Sequence, residues 1–452
     1  MECAPISRKS REGFQRKART TLIYNMREPQ ESRGVFYISV VFVFALAQSQ
    51  ASAFSPRGHR KRLAQFGAKM SPQETPPFIV SSLGEEEKEE GNIPTSPSNI
   101  STRLILHLDI NETILLEDKS GGDSRHDSVN KMLAKSAFCQ IPSNLPTGTT
   151  WEDTLALQPT HWWGGQVIGS ETSIPPLYTG WTWPENCCPY YRTSYKSVSK
   201  TFVEHHGSVY RPVLDQCEKA LAASSSDDHI LPALYHTINH LIATQQEQPF
   251  TLVFRTFGTD LPDMAKAVTA FCQGKHPDYP DANHPQLCLS PDRLYQGRWK
   301  KTSNDAIYQL WDLEETKVVA SGDEEILQLL DNVPICGIRD DYDHWASNDW
   351  LPTAGKPVWI PQFTKDTIYD HHILFDDNIH NLAHDGIACV RLQEADGSFV
   401  TVDAKTMHKV YQGFNLIRVP TVEPVLNPNW FVEQLEKASG RVARRLAGED
   451  DE

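Results

Sequence analysis

Residues 104 to 116 begin with an apolar strand-like run that is followed by polar side chains at alternating positions. Asp109 closes the apolar run, and Asn111 and Thr113 follow it at every second position. Asp109 therefore stands at the carboxyl end of a predicted buried strand, where open α/β sheets bind ligands and where the next turn can offer N–H groups to a phosphate. A carboxylate there can attack a phosphoryl group and form an aspartyl phosphate. We predict Asp109 as a nucleophile; the alternative is a strand followed by an Asx turn.

Two later segments also end in polar residues that suit a phosphate site. The apolar run 250 to 254 leads through Arg255 to Thr256, and Gly258 and a helix that begins near Pro262 follow. A hydroxyl and free backbone amides at that point can bind a phosphate. The run 372 to 375 leads into the adjacent acids Asp376 and Asp377. Adjacent carboxylates repel each other unless a cation lies between them, and Mg²⁺ prefers such oxygen ligands.

The order of these three segments resembles the haloacid dehalogenase (HAD) superfamily. Its phosphatases carry Asp-x-Asp-x-Thr/Val, then Ser or Thr, then Lys, then paired acids. The resemblance covers the strands between residue 103 and about residue 395. It implies a Rossmann-like parallel sheet of HAD type with a large insertion in the cap position, and an Mg²⁺-dependent phosphohydrolase or phosphotransferase. The implied roles are catalytic for Asp109 and Asn111, phosphate-binding for Thr113, Thr256 and Lys356, and metal-binding for Asp109, Asn111, Asp376 and Asp377.

The lysine of the third motif has two candidates, Lys356 and Lys365. Lys356 follows the Gly355 turn and lies farther from Asp376 than Lys365 does. A lysine is needed because phosphate and carboxylate together concentrate negative charge in one site. We predict Lys356 for this role; the alternative is a lysine that faces solvent from a turn.

Asn111 departs from the HAD pattern, in which the second acid of the first motif protonates the leaving oxygen and then activates water. An amide cannot exchange that proton, although it can form hydrogen bonds. General acid–base catalysis typically raises the reaction rate by about 10²- to 10⁴-fold. Three explanations stay open. The leaving group needs no proton, another residue such as His107, Glu112 or an acid of the insertion replaces the missing one, or turnover is lost.

Two function hypotheses follow from these residues. The first is an enzyme that acts on a phosphorylated small molecule through Asp109, with Mg²⁺ as cofactor. The second is a catalytically impaired HAD-fold protein that binds or regulates, because Asn111 replaces the general acid. The substrate and the oligomeric state are not indicated by the sequence.

Composition narrows the class of protein. The net charge of −15 argues against a nucleic-acid partner, which would need a concentrated basic face. Nine cysteines without a Cys-x-x-Cys motif give poor support to a disulfide framework or a zinc site. The 18 Phe, 14 Tyr and 11 Trp residues are enough for one large core.

The first hundred residues have the features of targeting segments. An apolar run at 35 to 47 is too short to span a bilayer and leads to Ala51-Ser52-Ala53, which is typical of a cleaved signal peptide. A basic stretch follows from Phe54. The junction resembles the ASAFAP-type motif of bipartite plastid presequences in diatoms and related algae, which implies import into the plastid stroma. The alternatives are the secretory pathway or a signal anchor; initiation at Met26 would give a signal peptide of ordinary length.

We predict an α/β fold with a disordered N-terminal region. The domains are a signal peptide (1–53), a transit peptide and linker (54–100), an HAD-like core (101–116 and 250–425), a cap-like insertion (117–249), and a C-terminal helix with an acidic tail (426–452). No stable membrane span is expected in the mature chain. Buried parallel strands are predicted at 104–108, 250–254, 333–338, 373–375 and 387–392, and helices at 210–223, 230–244, 262–273, 324–331 and 429–446.

Three smaller features have simpler interpretations. The acidic segment 340 to 344 is predicted as an exposed turn; the alternative is a loop that approaches the metal site. His107 is predicted as a histidine packed in the core. His371 and His372 are adjacent in a predicted strand, so their side chains should point to opposite faces.

Overall fold

The computed structural model describes residues 102–116, 122–145, 158–178, 183–192, 194–301, 306–364, 368–379, 386–420 and 422–446. The predicted signal peptide, the transit peptide with its linker, the acidic tail and Lys365 lie outside these residues. The expectations made for them therefore stay predictions.

An eight-stranded sheet forms the centre of the fold, with the strand order β14-β11-β1-β5-β9-β6-β7-β8. The six strands from β14 to β6 are parallel to one another, and β7 and β8 continue the sheet in antiparallel pairing. The strands are β1 (Thr102–Asp109), β5 (Phe250–Thr256), β6 (Leu294–Lys301), β7 (Ala306–Asp312), β8 (Val318–Ser321), β9 (Ile335–Arg339), β11 (Tyr369–Asp376) and β14 (Leu416–Arg418). The predicted α/β class is confirmed at this coarse level.

Two smaller sheets accompany the central one. The first contains β10 (Lys356–Ile360), β12 (Ala388–Gln393) and β13 (Phe399–Thr401), in the order β10-β12-β13. The second contains β2 (Ala137–Gln140), β3 (His161–Trp162) and β4 (Cys187–Pro189), in the order β3-β2-β4. Four of the five strands predicted from apolar runs lie in the central sheet, whereas the run at 387–392 forms β12 beside β10.

Helices cover the sheet and follow the apolar periodicity of the sequence closely. All five predicted helices are present, with ends within two residues of the predicted ones. The helices are α1 (Arg125–Ala134), α2 (Arg211–Ala222), α3 (Pro232–Thr244), α4 (Leu261–Cys272), α5 (Asp323–Asp331), α6 (Tyr342–Ser347), α7 (Ala404–Tyr411), α8 (Glu423–Leu426) and α9 (Trp430–Leu446). Among the described residues, no helix combines the length and apolarity that crossing a bilayer requires.

Strand β1 is buried on both faces, which explains why its sequence is almost continuously apolar. Leu104, Leu106 and Leu108 belong to the large core, while Ile105 packs in a separate core with Trp359. Side chains of a strand alternate between its two faces, so both faces of the sheet are covered here. His107 is fully buried among these residues, as predicted.

The segment between β1 and β5 shares its core with the sheet. Trp162, Tyr190 and Phe202 are buried in the same cluster as Leu106. Trp162 meets Phe202 edge to face, with 6.3 Å between ring centroids. These aromatic residues therefore fill a core, as large amphipathic rings in irregular segments commonly do.

The prediction of an exposed acidic turn at 340 to 344 is wrong for its first two residues. Asp340 and Asp341 are only 2% and 7% exposed. Arg255, which is fully buried, donates to both oxygens of Asp340 from Nε (2.9 Å) and Nη2 (2.5 Å). The hydroxyl of Tyr308 donates to Asp340 Oδ1 at 2.5 Å. A buried cation with five donors satisfies the carboxylate and explains its burial.

Removing the charge of Asp340 should destabilise the protein strongly. Asp340→Asn leaves the Arg255 guanidinium buried without its anion, and breaking a buried pair typically costs about 3 to 5 kcal/mol. The control is Glu315→Gln, which breaks the Arg298–Glu315 pair (2.7 Å) at the surface and should cost at most about 1 kcal/mol. Urea denaturation of both variants measures the difference, and equal losses of unfolding free energy would contradict the assignment.

His371 and His372 point to opposite sides of β11, as predicted. His371 Nε2 donates to the carbonyl oxygen of Phe414 at 3.0 Å, whereas His372 Nδ1 lies 3.1 Å from Nε2 of His107. Burial lowers the pKa of His371 to about 4, although the hydrogen bond to Phe414 acts in the opposite direction. The folded protein therefore holds this imidazole neutral.

Acid should destabilise the fold through His371. The pKa of an unfolded histidine is about 6.5, so the unfolded chain binds a proton that the folded chain refuses between roughly pH 6.5 and 4. The contribution of His371 to the free energy of unfolding is fully present above about pH 6.5. Up to about 3 kcal/mol of it is lost as the pH falls towards 4.

His371→Gln keeps a donor for Phe414 but cannot titrate. Its free energy of unfolding should depend less on pH than that of the wild type across this window. Urea denaturation at several pH values measures this, and parallel curves for the two proteins would refute the role given to His371.

Candidate active site

The predicted site residues lie at one edge of the central sheet. Asp109 ends β1, Thr256 ends β5 and Asp376 ends β11. Because β1 is hydrogen-bonded to both of its parallel neighbours, these three carboxyl ends meet side by side. Lys356 begins β10 and reaches the same place from the smaller sheet.

Lys356 lies between two carboxylates. Its Nζ is 2.5 Å from Asp109 Oδ1 and 2.7 Å from Asp376 Oδ2, and its side chain is 1% exposed. The same nitrogen stands 5.1 Å from the ring centroid of Phe257. Burial alone would lower the pKa of Lys356, but Asp109 and Asp376 raise it above its usual value. Lys356 is therefore a buried cation, and the alternative of a solvent-facing turn lysine is wrong.

Asp109 has one oxygen on the lysine and the other on a hydroxyl. Thr113 Oγ1 donates to Asp109 Oδ2 at 3.2 Å, and Thr113 is fully buried. Burial and Asp376 raise the pKa of Asp109 well above its usual range, Lys356 opposes them, and Asp377 raises it further. The site therefore holds more negative charge than Lys356 alone can neutralise.

The three carboxylates have the spacing of a metal site. One oxygen from each of Asp109, Asp376 and Asp377 lies within 4.8 Å of the others, and all three residues are buried. The donor set is entirely carboxylate oxygen, which suits Mg²⁺. With Lys356 and one further lysine described next, the three acids leave a net charge of −1, which a divalent cation would change to +1. The residues present thus fit Mg²⁺.

Lys135, which sequence reasoning did not identify, completes the charge balance from the insertion. It follows α1, is 7% exposed on its side chain, and pairs with Asp377 and, at 2.5 Å, with Glu112. Lys131 lies 3.4 Å from the same Glu112. Burial alone would raise the pKa of Glu112, but the two lysines lower it to about 2. No motif in the sequence marks Lys135, because its partners are distant along the chain.

Asn111 faces Asp260, a second residue that sequence reasoning did not assign to the site. Asn111 Nδ2 donates to Asp260 Oδ2 at 2.9 Å and lies 3.4 Å from Thr256 Oγ1. The sequence marks Asp260 only as the start of a helix, and in the structure its side chain makes no capping hydrogen bond to α4. Glu112 has a φ of 58° and points to the lysines, away from this pair.

A pocket of about 220 Å³ opens beside the carboxylates. It lies between the loop after β1, the end of β11 and the insertion. Among the described residues, nine of the ten that line it carry a polar side chain; the ten are Asn111, Glu112, Leu115, Ser128, Lys131, Lys135, Tyr191, Ser199, Asp377 and Asn378. Pockets for drug-sized ligands typically measure about 300 to 1,000 Å³, so this space suits a small polar molecule.

The parallel sheet, the converging strand ends and the buried lysines are all observed directly in this chain. Comparison with protein-family models, with curated proteins and with solved structures finds no match to it.

Proposed function

We propose that this protein is an HAD-type, Mg²⁺-dependent phosphohydrolase or phosphotransferase that forms a covalent phosphate on Asp109. One observation carries the proposal. Lys356 Nζ bridges Asp109 and Asp376 at 2.5 and 2.7 Å, at the edge of the sheet where Thr256 also ends a strand. Asp109, Asp376, Lys356 and Thr256 thus meet at the edge where open α/β sheets bind ligands, which supports roles as nucleophile, metal ligand, cation and phosphate-binding hydroxyl.

The first step transfers the phosphoryl group to the protein. An oxygen of Asp109 attacks phosphorus, a new O–P bond forms, and the bond from phosphorus to the leaving oxygen breaks. The leaving group takes that electron pair and departs as an anion. Lys356 and the Thr256 hydroxyl stabilise the charge on the phosphoryl oxygens, which is the main task of a site for phosphoryl transfer.

The second step releases the phosphate. Water attacks phosphorus, the O–P bond to Asp109 breaks, and the carboxylate is restored. The proton of the attacking water passes to a phosphoryl oxygen, so the product is dihydrogen phosphate. If an alcohol attacks in place of water, the same step is a phosphotransfer. Mg²⁺ on Asp109, Asp376 and Asp377 would neutralise charge on the phosphoryl group in both steps.

Asn111 favours a second candidate function. Its amide donates to Asp260 and cannot exchange a proton with a leaving group. A protein of this kind can bind phosphate and Mg²⁺ without turnover, as a binding or regulatory protein. We place the enzyme first because Lys356 Nζ lies within hydrogen-bond distance of both Asp109 and Asp376, which supports roles for these residues as cation, nucleophile and metal ligand. The segment from Ala51 to Pro56 supports the further proposal that the protein works in a plastid.

Asp109→Asn should abolish hydrolysis of an aryl phosphate. The amide is no nucleophile, so kcat/KM for p-nitrophenyl phosphate with Mg²⁺ should fall by about 10³-fold or more. The control is Asp278→Asn, an acid-to-amide change at an exposed carboxylate that binds Ser224 at 2.8 Å, which should leave the rate unchanged. A wild-type chain that is inactive on this ester and on a panel of phosphometabolites would favour the binding protein.

Mg²⁺ alone should stabilise the full chain. A ligand that binds only the folded state adds about 2.7 kcal/mol at one hundred times its dissociation constant, so the melting temperature should rise with Mg²⁺ concentration. Asp376→Asn removes one ligand and should weaken the effect, whereas Asp278→Asn should not. Differential scanning fluorimetry measures the shift. An equal response in all three proteins would mean that the carboxylates do not bind the metal.

A further inference from the structure

The orientation of the Asn111 carboxamide is determined by its neighbour. An ionised carboxylate only accepts hydrogen bonds, so the Asn111 atom 2.9 Å from Asp260 Oδ2 is the nitrogen. The amide oxygen must then point the other way. Asn111 Oδ1 is buried and has no hydrogen-bond partner among the described residues, and Asn111 lines the pocket beside Asp377. A buried acceptor without a partner beside a polar pocket indicates a donor supplied by a ligand or water.

Gly258 permits this contact. A Cβ at position 258 would lie 2.4 Å from Asp260 Oδ2, 3.3 Å from Thr256 Oγ1 and 3.4 Å from Asn111 Nδ2, so a larger residue would displace the carboxylate most. The backbone N–H of Gly258 donates to Thr256 Oγ1 at 2.8 Å. Asp260 is 8% exposed, so its carboxylate is held within this cluster.

We propose that Asp260 is a positioning residue that turns Asn111 Oδ1 towards the reacting phosphorus. This inference rests on the proposed function and adds a role for Asn111. As an acceptor, Oδ1 receives a hydrogen bond from the water that attacks the aspartyl phosphate, and it thereby orients that water. The amide keeps no proton, so the proton of the water goes to a phosphoryl oxygen as described above.

The same orientation selects a class of substrate. With Oδ1 facing the reaction, Asn111 offers neither a proton nor an N–H to the leaving oxygen. The leaving group must therefore be stable as an anion when the bond from phosphorus breaks. Acyl phosphates and phosphoanhydrides meet this requirement, because a carboxylate or a phosphate leaves. Simple alkyl phosphates do not, because an alkoxide would leave.

The test uses the full chain and a series of monophosphates with leaving groups of rising basicity: acetyl phosphate, p-nitrophenyl phosphate, phenyl phosphate and glycerol phosphate. For the wild type, kcat/KM should fall steeply along the series. In Asp260→Asn, the new amide can donate to Asn111 Oδ1 and so turn Nδ2 towards the reaction. The fall along the series should then become shallower, because Nδ2 donates to the leaving oxygen.

The second step reports the orientation of water. Asp260→Asn should slow release of phosphate from Asp109 by about 10- to 100-fold, as expected for a lost positioning contact. A burst of p-nitrophenol equal to the amount of enzyme should then appear. Gly258→Ala moves Asp260 without changing a polar group, and should also give the burst. Asp278→Asn, the matched acid-to-amide control, should behave like the wild type.

The outcomes separate this inference from the proposed function. If Asp109→Asn is inactive but Asp260→Asn and Gly258→Ala keep the wild-type slope and show no burst, Asp260 does not position Asn111, while the phosphatase stands. The same conclusion follows if both variants lose rate equally on every ester, which is the sign of a merely structural role. If the wild type forms no covalent phosphate, the proposed function fails and this inference fails with it.

Discussion

Three carboxylates meet at the buried edge of the central sheet, and the surrounding structure depends on how their mutual repulsion is balanced. Two unit charges 4 Å apart interact with about 4 kcal/mol at an effective dielectric constant of 20. Without a cation among them, Asp109, Asp376 and Asp377 would repel one another and would have to take up protons. Lys356 enters from β10 and Lys135 from the insertion, and each binds at least one of the three. The sheet of β10, β12 and β13 and the insertion thus each supply a cation that offsets the negative charge of the site.

A second buried ion pair holds the strand ends in place beneath the site. Arg255 binds Asp340 through two hydrogen bonds, donates to the carbonyl of Pro357 at 3.0 Å, and contacts His107 at 3.1 Å. Each of its partners other than Asp340 lies one or two positions from a site residue. Arg255 itself precedes Thr256, Pro357 follows Lys356, and His107 lies two before Asp109. One guanidinium therefore fixes the ends of β1, β5 and β10 relative to one another. Side chains carried on loops would lack such a rigid support.

The strands of the site were predictable from the sequence because buried parallel strands read as unbroken apolar runs. Asp109 and Asp376 directly follow such runs, and Thr256 follows the run 250–254 after Arg255, so the residue types and their common edge could both be predicted. Lys356 was predicted by type, but its burial was not, because Ala-Gly-Lys-Pro also has the composition of a surface turn. Only the contacts with Asp109 and Asp376, which the fold brings to Lys356, distinguish a buried cation from a surface lysine.

The residues that sequence reasoning missed share one property. Lys135 and Asp377 are 242 positions apart, and Asn111 and Asp260 are 149 apart. Charged residues in helical or turn segments are usually solvated, so neither Lys135 nor Asp260 differs locally from a surface residue. The acidic pair at Asp340 and Asp341 was misjudged for the same reason, since Arg255 stands 85 positions away from Asp340. A local sequence pattern cannot predict the burial of a charged residue when its partner is this distant along the chain.

The same electrostatics account for an amide at position 111. Asp260 already brings a carboxylate to within 2.9 Å of the Asn111 side chain. A carboxylate at both positions would add another like-charge pair beside the three acids, and such pairs must share a proton. An amide and a carboxylate are instead joined by a hydrogen bond and carry one charge between them. The amide thus lets Asn111 donate to Asp260, while Asn111 Oδ1 remains a neutral oxygen that can accept a hydrogen bond but cannot donate one.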